Sequence, residues 1–270
     1  MMPYDECTWE SERLRHPFFG EHIDSGRYAK VWDDAAAGYG DAGVGALKEQ
    51  ILERLSDIIC SSTDLLDIGC GPGTYSIPFS KVCRSVVCLD GSGKMLERII
   101  QAKIPNIRCI EADWNKFQTD SRFDIVFSSL CPALNNPAGL IKMESVSRGY
   151  CVYVSSMNDD SESLHMDIWR SLGRDYTYNG YNTNYPFQYL KGLGREPKME
   201  AFFMEEPYDL PSEDVEEKEI RSFSFFMEVD DRVRSVIHDT VMRHSDAGQV
   251  HYNGTKRLGL LIWRPKALIS

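Results

Sequence analysis

With 270 residues and 42% apolar content, the chain can bury one sizeable core and is read as a single domain. Its formal charge of −11, with no basic patch to offset it, repels a phosphate backbone and argues against a nucleic-acid partner. No run approaches the roughly 18 to 20 apolar residues of a membrane helix, and MMPYDECTWE lacks a signal-peptide core. A cytoplasmic location without a membrane partner is therefore expected. Eight cysteines without a C-x-x-C pair, and scattered histidines, argue against structural zinc and a disulfide scaffold, so no metal site is assigned.

In chain order, VGALKEQILERLSDIIC places Leu47, Ile51, Leu55, Ile58 and Ile59 at helical spacing and leads into the short apolar run DLLDIG. A helical stretch near 74–83 precedes SVVCLD (85–90). KMLERIIQA reads as a helix before NIRCIEAD (106–113), and FDIVFSSL (123–130) is followed by a short helix after Pro137 and by GYCVYVSS (149–156). Five apolar runs of strand length separated by helices predict βαβ units and a largely parallel sheet buried on both faces. Beyond 156 the rhythm changes. RDYTYNGYNTNYPF mixes aromatics with turn formers, KMEAFFMEE (198–206) reads as a strand, and Pro211-Ser212 opens helical material to about 244. The acidic run from Glu213 to Glu217 is the solvated start of that helix, and LGLLIW before Pro265 reads as a buried final strand.

The stretch LLDIGCGPG (65–73) stops an apolar run at Asp67 and then uses Gly69, Gly71 and Gly73 at one bend. In open α/β sheets ligands sit beyond the carboxyl ends of the strands. Glycines let the main chain approach a ligand closely, and the following helix offers free N–H groups. A nucleotide-like ligand fits. A dinucleotide fingerprint needs glycine where Thr74 stands, which disfavours a nicotinamide dehydrogenase.

The turn resembles the first motif of class I S-adenosylmethionine-dependent methyltransferases, in which the glycine loop passes under the methionine part of the cofactor. Later positions agree in order and spacing. Asp90 ends the second strand about 20 residues on, where an acid can accept hydrogen bonds from both ribose hydroxyls. GSGKML is similar to the family's S-x-x-M-L segment, which implies Met95 near the adenine, and EADW implies Asp113 on the adenine amino group with Trp114 beside it. FDIVFSSL resembles the fourth motif, whose strand end, here Ser128 and Ser129, passes near the sulfonium. Cys70 and Gly91 complete the implied cofactor site. The resemblance implies a Rossmann-like α/β fold: a largely parallel seven-stranded sheet with helices on both faces, an antiparallel last strand, an N-terminal helical cover (1–43) and an insertion after the fifth strand. The cofactor-binding core then spans 44–156, the cap insertion and helices 157–256, and the last strand 257–270.

Methyl transfer from a sulfonium is an in-line displacement, so a general base is needed only when the acceptor must lose a proton, and no catalytic residue is assigned. DNA amino-methyltransferases of this fold carry an N-P-P-Y type sequence after the fourth strand, whereas this chain has Ser128-Ser129-Leu130-Cys131-Pro132-Ala133. Small-molecule members build their acceptor pocket from an N-terminal segment and the insertion. GRYAKVWDDAAAGYGD resembles the aromatic entry segment, so Tyr28, Trp32 and Tyr39 either line the pocket or pack the N-terminal helix. Tyr176, Tyr178, Tyr181, Tyr185 and Phe187 form either a lid, whose aromatic faces could attract a cation, or a surface loop. Cys131, beside the sulfonium, could be a thiol acceptor or metalloid ligand, but no partner cysteine is evident. The expectation is transfer from S-adenosylmethionine to a small organic molecule, with S-adenosylhomocysteine as product, by a monomer or homodimer. The alternatives are a protein methyltransferase and a non-catalytic S-adenosylmethionine-binding sensor or scaffold.

Overall fold

A computed structural model describes residues 6–14, 30, 32–36, 45–157, 163–174, 182–224 and 226–266. Five parallel strands, β1 (Asp64–Ile68), β2 (Ser85–Asp90), β3 (Ile107–Glu111), β4 (Phe123–Ser129) and β5 (Ser147–Ser156), are joined by β6 (Lys198–Pro211) and β8 (Gln249–Trp263) in the order β3-β2-β1-β4-β5-β8-β6. A two-residue strand, β7 (Ser245–Asp246), pairs with β8 off this path. β8 runs antiparallel to both neighbours. The expected seven-stranded, largely parallel sheet with an antiparallel last strand is thus present. Chain order reverses between β1 and β4, and such a switch point opens a crevice beyond the strand ends.

Side-chain alternation divides the core between the two faces. Leu65, Ile125, Phe127, Val152 and Leu260 share one cluster with Leu47, Ile51 and Leu55 of α2 (Gly45–Leu55), Phe79 of α3 (Ser76–Ser80) and Ile99 of α4 (Gly93–Ala102). Leu66, Ile68, Val126, Tyr153 and Leu261 face a second cluster. It is covered by Trp9 of α1 (Glu6–Leu14), Leu140 and Met143 of α5 (Pro137–Ser145), and Leu190 of α7 (Asn184–Gly192). Caps explain where helices begin. Ser92 accepts from the Met95 N–H ahead of α4, and Asn136 accepts from the Gly139 N–H with Pro137 in the first helical position of α5.

The final strands are longer than the sequence patterns suggest. β6 continues past KMEAFFMEE to Pro211 and β8 begins before LGLLIW at Gln249, because the two pair along the whole of β6. Only Leu258–Trp263 of β8 also pairs with β5, so the rest of the β6–β8 ribbon gains no third strand from β5. The helical material to 244 divides into α8 (Ser212–Ser224) and α9 (Asp231–Arg243), the second opened by Asp230, whose carboxylate accepts from the Val233 N–H. With α6 (Leu164–Ser171) they enclose a third cluster around Trp169, Phe223 and Ile237. No helix among the described residues is long and apolar enough to cross a membrane.

Buried Glu144 on α5 fastens the second face. It accepts a two-pronged bond from Arg195, at 3.0 and 2.7 Å, and another from the indole N–H of Trp263 at 2.8 Å. Glu144→Ala leaves a largely buried guanidinium and an indole donor unpaired, so it should cost about 3 kcal/mol. Thermal melts should show a drop of several degrees, larger than for Glu144→Gln, which keeps an acceptor for Trp263.

Candidate active site

The glycine turn closes on the end of β2, with the Gly69 and Cys70 N–H groups both donating to the Leu89 carbonyl, at 2.7 and 3.2 Å. All three glycines have positive φ, +67°, +53° and +90° in chain order, yet each answers a different constraint. A Cβ on Gly69 would run into the side chain of Cys131, and one on Gly73 would lie 2.7 Å from Ile99 and 3.0 Å from Ile77. A Cβ on Gly71 would meet nothing within 4 Å among the described residues. The outer glycines let the turn pack on β4 and the helices. The middle one leaves main chain facing open space at the switch point.

Asp90 holds that middle glycine. Its Oδ2 accepts from the Gly71 N–H at 2.8 Å and its Oδ1 from the Ser92 N–H at 2.9 Å. Burial pushes its carboxyl above the ordinary value, and these N–H donors oppose the shift. The end of β3 is drawn alongside by the Ala112 N–H, which donates to the Asp90 carbonyl at 2.9 Å. Asp113 follows, half-buried, accepting from the Asn115 N–H at 2.9 Å. Trp114 is buried. Its ring lies beside Phe117 and under the Lys142 ammonium at 4.7 Å, and its indole N–H has no hydrogen-bond partner among the described residues. Met95 is buried at the first turn of α4, while Gly91 leaves 3.9 Å between a Cβ and the Ala112 carbonyl.

Asp67 points to the α3 side of the sheet and accepts from the Ser76 hydroxyl at 2.5 Å. Burial pushes its carboxyl up to about 7, and the nearby Asp90 charge adds to the effect. Ser76 was not picked out from sequence, although it lies nine residues on from Asp67. Ser128 is fully buried and donates to the Ile68 carbonyl at 2.9 Å, clamping β4 to β1, whereas Ser129 is half-buried at the strand end. The chain then turns sharply, with Leu130 at φ +51°. A branched residue in that region carries strain, and such positions concentrate at ligand sites. Cys131, which follows, fills the space that Gly69 vacates. Its thiol is pushed up to about 12, chiefly by burial, which makes it a poor nucleophile. Cys70 is also buried, with its thiol held well above the ordinary value by burial. No group of three metal-ligating side chains occurs among the described residues.

The flanking aromatics are only partly visible. Tyr28, Tyr39, Tyr176, Tyr178 and Tyr181 lie outside the described residues. Trp32 is half-buried in the helical turn at 32–36, and its neighbour Asp33 accepts from the Ser92 hydroxyl at 2.5 Å and the Lys94 N–H at 3.3 Å. That contact joins the N-terminal segment to the start of α4, beside Asp90. The sequence alone offers no signal for this role of Asp33 within the entry segment. Tyr185 and Phe187 are half-buried against the cluster that contains Cys131 and Leu134. They are brought there by Thr183, whose N–H donates to the Ser156 carbonyl at 3.1 Å and whose side chain occupies the space over Gly259.

Residues 65–146 match the family described as "Methyltransferase domain". An uncharacterised protein of Haemophilus influenzae is 24% identical over 152 residues, which are 53% of this chain and 56% of that protein. The match thus spans a little over half of the curated relative. Among solved structures, the YcgJ protein of Bacillus subtilis is 12% identical with a TM-score of 0.55, over 81% of this chain and 99% of that one. A DhpI complex with SAM and HEP gives 0.50 at 18% identity, over 65% and 91%, and a DhpI–SAH complex gives 0.51 at 16% identity, over 89% and 96%. At these identities the structural likenesses establish the fold. The fold is Rossmann-like, as in these structures, and residues 65–146 are similar to a methyltransferase domain.

The three glycines should respond differently to alanine. Gly71→Ala has room in the fold and pays only the backbone cost of about 1 kcal/mol, so its melting temperature should stay near wild type while S-adenosylhomocysteine binding falls at least tenfold, about 1.4 kcal/mol. Gly69→Ala collides with Cys131 and should lower the melting temperature markedly. Calorimetric titration beside thermal melts reads both.

Proposed function

We propose that this protein transfers the methyl group of S-adenosylmethionine to a small organic acceptor and releases S-adenosylhomocysteine. The observation that carries this reading is the bare main chain of Gly71 beside the Asp90 carboxylate at the switch point, a cradle that a side chain would fill. The Asp90 oxygens take backbone N–H groups and, as a carboxylate, retain further lone-pair directions, which suits neighbouring ribose hydroxyls. Asp113 serves the adenine amino group, with Met95, Gly91 and Trp114 bordering the ring. Asp67, Gly69, Cys70 and Gly73 shape the turn under the methionine part, and Ser128 and Ser129 bring the end of β4 to the reacting centre. When bound, the cofactor supplies a methyl group on a positively charged sulfur, which leaves as a neutral thioether.

The chain's own task is then to hold donor and acceptor in line and keep water out. Asp33 on Ser92 fastens the N-terminal cover beside the nucleoside, and Thr183 on Ser156 fastens the insertion beyond β5. Trp32, Tyr185, Cys131, Tyr28 and Tyr39 are assigned to the acceptor side. The charge of −11 and the Ser-Ser-Leu-Cys-Pro-Ala sequence after β4 favour a small molecule over nucleic acid.

A survey of small-metabolite, peptide and protein acceptors with methyl-labelled donor tests the activity. Label on a small molecule is the expected outcome, label on protein would redirect the substrate class, and tight binding with no transfer would favour a sensor. The buried acid also sets a pH dependence. Protonation of Asp67 removes its charge below about 7, so affinity for S-adenosylhomocysteine should fall as pH drops from about 8 to about 6, and Asp67→Asn should flatten that change. For the fold the sign is opposite. A carboxyl raised above its unfolded value binds more protons in the native state, so its contribution to stability declines as pH rises from about 4 to about 7.

A further inference from the structure

Two residues past Gly73 the chain places Tyr75, and its side chain has no role in the reading above. Its ring is pinned against Phe127 of β4, with centroids 4.9 Å apart, and against Phe79 of α3 at 6.1 Å. The residue is 4% exposed, and its hydroxyl is buried without a hydrogen-bond partner among the described residues. Ser129 lies close enough to act on the phenol, yet the two do not close a hydrogen bond. A buried donor left unpaired costs about 1 to 3 kcal/mol. The fold tolerates that cost where the core cluster on the α3 side meets the glycine turn and the end of β4.

We propose that the Tyr75 hydroxyl is a cofactor-binding donor that bonds the α-carboxylate of the amino-acid end of S-adenosylmethionine. This rests on the cofactor reading above and assigns a contact within it. Burial, with the charges of Asp67 and Glu49 added, keeps the phenol protonated, so it acts as a donor. A carboxylate is the strong acceptor that such a donor lacks. An isolated anion would be repelled by those same acids, whereas an α-amino acid brings its ammonium group with it and is neutral as a whole. The aromatic contacts fix the ring, so little entropy is lost when the bond forms.

Tyr75→Phe removes one oxygen and keeps the ring. Calorimetric titration of wild type and variant with S-adenosylhomocysteine and with 5′-methylthioadenosine, which keeps the nucleoside and sulfur but lacks the amino-acid end, separates the possibilities. The variant should bind S-adenosylhomocysteine about tenfold more weakly, equivalent to about 1.4 kcal/mol. It should bind 5′-methylthioadenosine as wild type does. Without ligand it should melt no lower than wild type, since an unpaired buried group has been removed. Equal S-adenosylhomocysteine affinity in the two proteins would overturn this contact and leave the cofactor reading intact. Equal weakening of both ligands, or a lower melting temperature, would make the hydroxyl structural and overturn it likewise. If wild type bound neither ligand, the cofactor reading and this contact would fall together.

Discussion

The bond from the Gly71 N–H to the Asp90 carboxylate is the constraint on which the site depends. Gly71 belongs to the turn after β1, and Asp90 is the last residue of β2, so one interaction locks the first two parallel strands at the end where a ligand must sit. The other Asp90 oxygen holds the Ser92 N–H, and Ser92 in turn caps α4 and receives Asp33 from the N-terminal segment. Turn, helix start and N-terminal cover are therefore registered against one carboxylate. Gly71 is half-buried, and its own N–H bond to Asp90 holds it in place.

Much of this was legible in the sequence wherever the determining pattern is local. Apolar runs and intervening helices gave the five parallel strands, and the spacing from Gly69 to Asp90 to Asp113 marked the ends of the first three. What local pattern could not show was pairing across distance. Asp90 was read as a ligand group, and its grip on Gly71 became visible only when β2 lay beside the turn. Ser76 under Asp67, Thr183 over Gly259 and Glu144 beneath Trp263 likewise join residues far apart in the chain or set on different elements. The lengths of β6 and β8 were underestimated for the same reason, since their outer halves are polar and are held as strands by each other.

The region after β5 has its own logic. His165 on α6 meets Glu219 on α8 at 2.7 Å and accepts from the Trp169 indole at 3.1 Å, so the cap helices are joined by a polar chain set among aromatic rings. That cluster is separate from the sheet's two cores, which lets this region vary without disturbing the cofactor site. Acceptor choice is accordingly proposed for the insertion and the N-terminal segment, and the donor site for residues 65–130.

A crystal structure of the complex with S-adenosylhomocysteine tests the central claim most directly. The ribose hydroxyls should lie on the Asp90 carboxylate and the ligand should pass over the bare main chain of Gly71. A nucleoside seated away from the ends of β1 and β2, or a glycine turn left unchanged and empty in crystals grown at saturating ligand, would contradict it.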